Sequence, residues 1–351
     1  MVPKHKLLIT GITGYIGFQT LIIALQRGYS VRGVIRNHES IATLRSKSSL
    51  IARCLDNGNL DLVIVPDFLQ KGGLLKHMGG ITTIVHLASP LASQSEDYEH
   101  EIIVPAVKMV QVVLEAAAQT PSVSRVIITS SCVTLVPFQW NFSPDSERLY
   151  TAQDINSSPI KPYGSPMEAY WASKALARVT TRDFMKDTKL HFDFVNLLPS
   201  VVIGPDARIP ADGKREELTV EARGAVMAPA LSSSLNSPFP FVGVPVHVGD
   251  VARAHIDAVE LDPAHANSEY ILSSDTPEGV IWDRDTAVIA KKYFAKDVEN
   301  KVLPLEGSLA VVKFRLDSST TEKAFGWKHT SFEQTMKEMI MQYLQLNASS
   351  T

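Results

Sequence analysis

The chain has 351 residues, a formal net charge of −3 and 45% apolar residues, enough for one large or two small cores. That charge offers no basic surface for nucleic acid or an anionic membrane, and no apolar run approaches the ~20 residues of a membrane span. The first residues run straight into an apolar strand pattern rather than a secretory leader, and Cys54 and Cys132 lack metal-ligand spacing and read as reduced, buried thiols, so the expected location is cytoplasmic.

In chain order, an apolar strand over Lys6–Thr10 meets Gly11-Ile12-Thr13-Gly14-Tyr15-Ile16-Gly17. A helical pattern follows to Gly28, then a second strand over Val31–Ile35. Strand, glycine turn, helix, strand is the order of a dinucleotide site. The glycines bring backbone close to a pyrophosphate, and the helix N-terminus adds N–H groups and partial positive charge. The second strand ends without an acid from Val31 to Asn37 that could bind ribose hydroxyls; Arg36 suits a 2′-phosphate instead. NADPH is therefore expected over NADH. Arg32 either helps or is solvated.

Further strands are predicted over Leu60–Val65, Thr83–Leu87, Arg125–Ser130 and Asp193–Leu198, and helices over His100–Ala118 and Glu168–Met185. Such alternation implies an α/β fold: a Rossmann doubly wound parallel sheet. Ligands on these sheets sit beyond the carboxyl ends of the strands, where Asp67, Ser89 and Ser131 fall. Ile209 to Pro245 is rich in Pro, Ser and Gly and has no clean period. A strand-helix pattern returns at Val246 to His255, with a strand over Tyr270–Ser273 and helices over Ala287–Phe294 and Phe332–Leu346. The expected division is a dinucleotide-binding domain of residues 1–204 plus 247–274, a smaller discontinuous C-terminal substrate-binding cap of 205–246 plus 275–346, and a tail of 347–351.

Tyr170-Trp171-Ala172-Ser173-Lys174 lies on the second long helix. Residues four apart share a face. A nearby ammonium lowers a phenol from its usual ~10, so Lys174 is expected to tune Tyr170 as a proton donor or acceptor for a substrate oxygen. Trp171 faces away and reads as packing. His86 and His247 sit in apolar strand contexts and read as structural.

These motifs together resemble an extended short-chain dehydrogenase/reductase. Thr10 to Gly17 is similar to T-G-x-x-G-x-x-G, His86-Leu87-Ala88-Ser89-Pro90 to H-x-A-S-P, Thr129-Ser130-Ser131 to the serine segment, Tyr170 and Lys174 to Y-x-x-x-K, and Pro199 to Pro205 to P-x-x-V-x-G-P. The branch resembled is that of dihydroflavonol-4-reductase and the yeast-type NADPH-dependent aldehyde and ketone reductases. The resemblance implies a pyrophosphate cradle of Gly11, Ile12, Thr13, Gly14, Tyr15 and Ile16, with Arg36 on the 2′-phosphate. It implies Asp67 and Phe68 beside the adenine, and Leu87, Ala88 and Ser89 along the nicotinamide ribose. Pro199 and Val202 would serve the cofactor, Val202 through its backbone to the carboxamide, and Ser131, Tyr170 and Lys174 would form the catalytic triad. The register favours Ser131 over Ser130. Where the branch often has a lysine four positions after the arginine, this chain has Ser40, and Arg45 on the following helix is a stand-in.

The activity so implied is NADPH-dependent reduction of a small carbonyl substrate, with Tyr170 as acid. Two alternatives stand beside it: an NAD-dependent epimerase, dehydratase or hydroxysteroid-type dehydrogenase, and a non-catalytic dinucleotide sensor. Phe138, Trp140, Phe239 and Phe241 suggest an apolar substrate pocket. The chain is expected to act as a monomer or homodimer, with no nucleic-acid, membrane or metal partner.

Overall fold

A computed structural model describes residues 5–70, 72–90, 96–187 and 189–348. Five strands come first: β1 (Lys6–Thr10), β2 (Ser30–Ile35), β3 (Leu60–Ile64), β4 (Thr83–His86) and β5 (Arg125–Thr129). With the strands Asp193–Pro199 and Ser268–Leu272 they form one seven-stranded sheet. From one edge the order is Ser268–Leu272, Asp193–Pro199, β5, β4, β1, β2, β3. The pairings β1 with β2 and β4, β2 with β3, β4 with β5, and β5 with Asp193–Pro199 are all parallel. The doubly wound expectation holds. Strand order reverses between β1 and β4, which opens a crevice at their carboxyl ends.

The helices of this part are α1 (Tyr15–Gln26), α2 (Glu39–Lys47), α3 (Ser49–Asp56), α4 (Val104–Ala118) and α5 (Pro166–Phe184). The helix expected after the second strand is thus two, broken where Ser48 turns extended and caps α3 through the Ile51 N–H. The helix expected from His100 opens as a π-turn over Glu99–Ile103 before α4. Leu8, Ile84, Val126 and Ile128 point to the face covered by α4 and α5, where Val110, Val113, Leu114 and Ala177 close the core; Leu7 and Ile9 alternate to the opposite face.

The chain packs as two compact units. One comprises Met1–Trp140, Ala152–Leu198 and Ala252–Tyr270; the other Asn141–Thr151, Pro199–Val251 and Ile271–Thr351. Asn141–Thr151 joins the second unit because its strand Leu149–Tyr150 pairs with Arg315–Leu316. The aperiodic stretch from Ile209 supplies that unit's core: Ala225, Val226, Met227 and Leu231 pack with Trp282, Phe332, Met336 and Ile340. Asn347, the first residue of the expected tail, sets its N–H on Gly213 O at 3.0 Å and its side chain on Asp212 O at 2.9 Å; residues 349–351 lie outside the described residues.

Candidate active site

The glycine loop leaves β1 with Gly11 at φ +76°, the left-handed region. A Cβ there would meet Ala88 N at 2.8 Å, and one on Gly17 would meet Gly11 O at 2.0 Å. The loop is therefore pressed against β4 on one side and α1 on the other, and only glycine fits. Gly14 caps α1 without a side-chain bond, and Thr13 and Gly14 are exposed. The first turn of α1 presents its N–H groups as an anion site does. Ile12 is fully buried; its side chain occupies the space a Cβ on Gly33 would need, so Ile12 can serve a ligand through its backbone. Tyr15 and Ile16 are half-buried at the helix start. These residues fit a dinucleotide.

Thr10 ties the two strands of the crevice. Its hydroxyl accepts the N–H groups of Leu87 and Ala88, each at 3.1 Å, and stands 2.9 Å from His86 Nδ1. With both lone pairs used, it donates to Nδ1, which leaves the proton of neutral His86 on Nε2. Burial, with the Lys174 charge adding to it, pushes His86 down to about 3. Phe68 stacks on this ring at 5.7 Å. His86 is structural as expected, and so is His247, which accepts the Gly249 N–H and meets Glu338 at 3.2 Å.

Arg36 follows β2 exposed, with no hydrogen bond or ion pair among the described residues. Arg32 is committed elsewhere, to Asp61 across the β2–β3 pair and to the His77 and Gly79 carbonyls. Arg45 pairs with Asp56, so neither stands free as a second phosphate ligand. Ser40 donates its N–H and its hydroxyl to the Asn37 side-chain oxygen, at 3.1 and 2.7 Å. Asp67 is exposed and accepts the Leu69 N–H, Ser89 Oγ donates to Pro90 O at 3.3 Å, and Leu87 and Ala88 are half-buried with their N–H groups spent on Thr10. Pro199 ends its strand and Val202 lies opposite Val246 in a short parallel pair.

Helix α5 is started by Ser165, whose side chain accepts the Glu168 N–H, with Pro166 in the first turn. Glu168 reaches back to the Gly164 N–H at 2.7 Å. These contacts set the helix phase. Ala169, Ala172 and Ser173 face inward, Trp171 packs edge-on to Phe138 at 5.4 Å, and Tyr170 and Lys174 share the remaining stripe. Lys174 Nζ stands 5.8 Å from the Tyr170 ring centroid. The expected lowering of the phenol does not appear: burial, and then Cys132 beside it, push Tyr170 up to about 12. The ammonium lies over the ring, and the cost of burying phenolate charge dominates. Burial brings Lys174 down to about 8.

Ser131 lies two residues beyond β5, its side chain accepting the Val133 N–H at the head of the 3-10 turn Cys132–Leu135, which packs against α5. Ser130 points the other way, into a small cavity shared with His86, Lys174 and Asn196. Burial pushes the Cys132 thiol up to about 12, so it is no nucleophile. Both cysteines are free and buried, as expected. Of the aromatics marked for a pocket, Trp140 is core, Phe241 lies in a short strand paired with Val311–Val312, and Phe239 is 72% exposed. Sequence reasoning missed Thr10, Gly33 and Arg178; a glycine inside a strand and a threonine before the glycine loop were the available signals for the first two. Among the described residues no cluster of His, Cys, Asp or Glu could hold a metal, and no helix is long and apolar enough to cross a membrane.

The strand order, the glycine loop at the switch point and the Tyr170/Lys174 stripe define an α/β oxidoreductase that uses a nicotinamide dinucleotide. The NAD dependent epimerase/dehydratase family matches residues 7–271, and the chain belongs to it, as an oxidoreductase of the extended short-chain dehydrogenase/reductase type. It is similar to the ketoreductase CTB6 of Cercospora nicotianae, 34% identical over 97% of this chain and 95% of that protein. It is also similar to the putative NADPH-dependent methylglyoxal reductase GRP2 of Candida albicans, 26% identical over 98% and 100%. The crystal structure of Gre2 with NADPH from Candida albicans shares the fold, with a TM-score of 0.78, 24% identity and coverage of 97% and 98%.

Proposed function

We propose that the chain reduces the carbonyl of a small, mainly apolar aldehyde or ketone to an alcohol, with NADPH as cofactor and Tyr170 as general acid. The carrying observation is the half-buried Tyr170 phenol with the Lys174 ammonium on the same helical stripe, 5.8 Å from its ring centroid. A phenol pushed up to about 12 is fully protonated at neutral pH, the state an acid in reduction needs. Arg36 supports the 2′-phosphate, and the names of the Cercospora and Candida relatives support the chemistry.

The dinucleotide, when bound, supplies a hydride to the carbonyl carbon. Ser131 and Tyr170 hydrogen-bond the carbonyl oxygen. As the C=O π pair moves onto that oxygen, the Tyr170 proton goes with it, and the phenolate left behind takes a proton from solvent. Lys174 stabilises that phenolate and orients ribose hydroxyls. The second unit, with Phe239 exposed upon it, is the candidate substrate-binding cap.

General acid catalysis is worth ~10²–10⁴-fold. Tyr170→Phe is expected to lower kcat by at least about that factor on a panel of aliphatic, aryl and polyketide-like carbonyls, with NADPH affinity measured by fluorescence nearly unchanged. Near-normal turnover would overturn the assignment. The family's description favours a second reading, an NAD-dependent epimerase or dehydratase. Arg36 in place of an acid weighs against it, and NAD released on denaturing the purified protein, with no turnover of the panel, would establish it.

A further inference from the structure

We propose that Arg178 is a positioning residue that holds the Ser131 turn in register with the Tyr170/Lys174 helix. It lies one helical turn beyond Lys174 on α5 and is 1% exposed. A guanidinium carries five N–H donors, and here each has a partner. Nε meets Glu269 Oε1 at 3.0 Å, Nη1 meets Thr134 Oγ1 and Asp154 O, both at 2.9 Å, and Nη2 meets Ala152 O and Glu269 Oε2, both at 2.5 Å.

Thr134 is the link to the site. It is fully buried. Its hydroxyl accepts from Arg178 and donates to the Ser131 carbonyl at 2.7 Å, while its N–H reaches the same carbonyl at 3.2 Å. Arg178, Thr134 Oγ1 and Ser131 O thus form a continuous chain from the helix bearing the acid to the turn bearing the serine. Glu269 anchors the far side: it also takes Arg182 and, at 2.9 Å, the Asn196 amide. Burial works to raise its carboxyl, but the arginine bonds outweigh that and hold it below the usual range. A planar, five-donor fork meeting three separate segments of the chain gives one geometry rather than a loose charge contact. The carbonyls of Ala152 and Asp154 extend the same anchor to the loop that leads into α5.

This inference rests on the reductase reading. Arg178→Met takes one of two arginines from the buried Glu269 carboxylate, leaves the Ala152 and Asp154 carbonyls short of a donor and destabilises the fold, so the decisive variant is Thr134→Val, which keeps the shape and removes the link. Thr134→Val is expected to lower kcat for carbonyl reduction between ~10- and ~100-fold, the range a misplacement of about 1 Å produces, with NADPH affinity unchanged and a cooperative thermal transition retained. In a Ser131→Ala background the same substitution should cost less than threefold, because the link acts through Ser131; a general packing defect would multiply. Wild-type kcat in Thr134→Val, or full multiplication with Ser131→Ala, overturns the inference while Ser131→Ala and Tyr170→Phe remain slow. Normal turnover in both of those variants overturns the reductase reading itself.

Discussion

Tyr170 keeps its proton far above neutral pH, so it cannot set an alkaline limit on reduction; Lys174, brought down to about 8 by burial, can. Its ammonium is lost as pH rises through about 8, and the value of kcat/KM for the dinucleotide, which reports the free enzyme, is expected to fall there. Stability runs the other way. An unfolded lysine holds its proton to ~10.4, so between about 8 and that value the unfolded state binds more protons, and this group's contribution to folding improves as pH rises. Deprotonation of Lys174 would therefore lower activity above pH 8 without itself destabilising the fold. In Lys174→Arg, whose guanidinium stays charged past ~12, the alkaline limb should vanish from the pH profile even though the rate is lower; a limb persisting near 8 would assign it elsewhere. At the other end of the cofactor site Arg36 is unpaired among the described residues, whereas Arg32 and Arg45 are engaged. A charge-assisted hydrogen bond is worth ~1.5–3 kcal/mol. Arg36→Ala is thus expected to raise KM for NADPH ~10- to 100-fold and leave KM for NADH unchanged, as steady-state kinetics with both cofactors would report.

At the scale of elements, two glycines of the first strand-helix unit differ in what they do. Gly17 has Gly11 O where a Cβ would go, whereas Gly28, at φ +81°, has nothing near. Gly17→Ala must push α1 off the loop, at an overpacking cost of ~1–3 kcal/mol, and is expected to lower both Tm and dinucleotide affinity, the latter by at least tenfold. Gly28→Ala meets only left-handed strain, ~1–2 kcal/mol, and should lower Tm with affinity intact. Calorimetry and a cofactor titration on the two variants separate the roles. The loop, the strands and α5 were legible because their signals are local: apolar runs for β1 to β5, a glycine turn, and a helical run that sets Tyr170 and Lys174 one turn apart. The π-turn at Glu99 and the break at Ser48 were not, since the flanking residues suit a continuous helix and tertiary packing decides the register.

For the molecule as a whole, legibility falls as contacts grow longer. The motif residues Gly11, Arg36, Tyr170 and Lys174 announce a dinucleotide and a proton-handling phenol from their types and spacing, because a tight turn, an anion site and a shared helical face are properties of a few neighbouring residues. The second unit gave no such signal: its core joins Val226, Trp282 and Met336, and Asn141–Thr151 enters it through a strand pair more than 160 residues apart in sequence. Nor could sequence show that Arg178 and Glu269 would meet in the interior, or that burial would push Tyr170 up instead of letting Lys174 bring it down. From the sequence alone came the class of fold, a nicotinamide dinucleotide as the kind of cofactor and the residue proposed as the acid, all encoded in local patterns. Only the tertiary structure decided which arginine stands free, what holds Ser131 and how each group titrates, because desolvation and buried hydrogen bonds depend on what the whole chain packs around a residue.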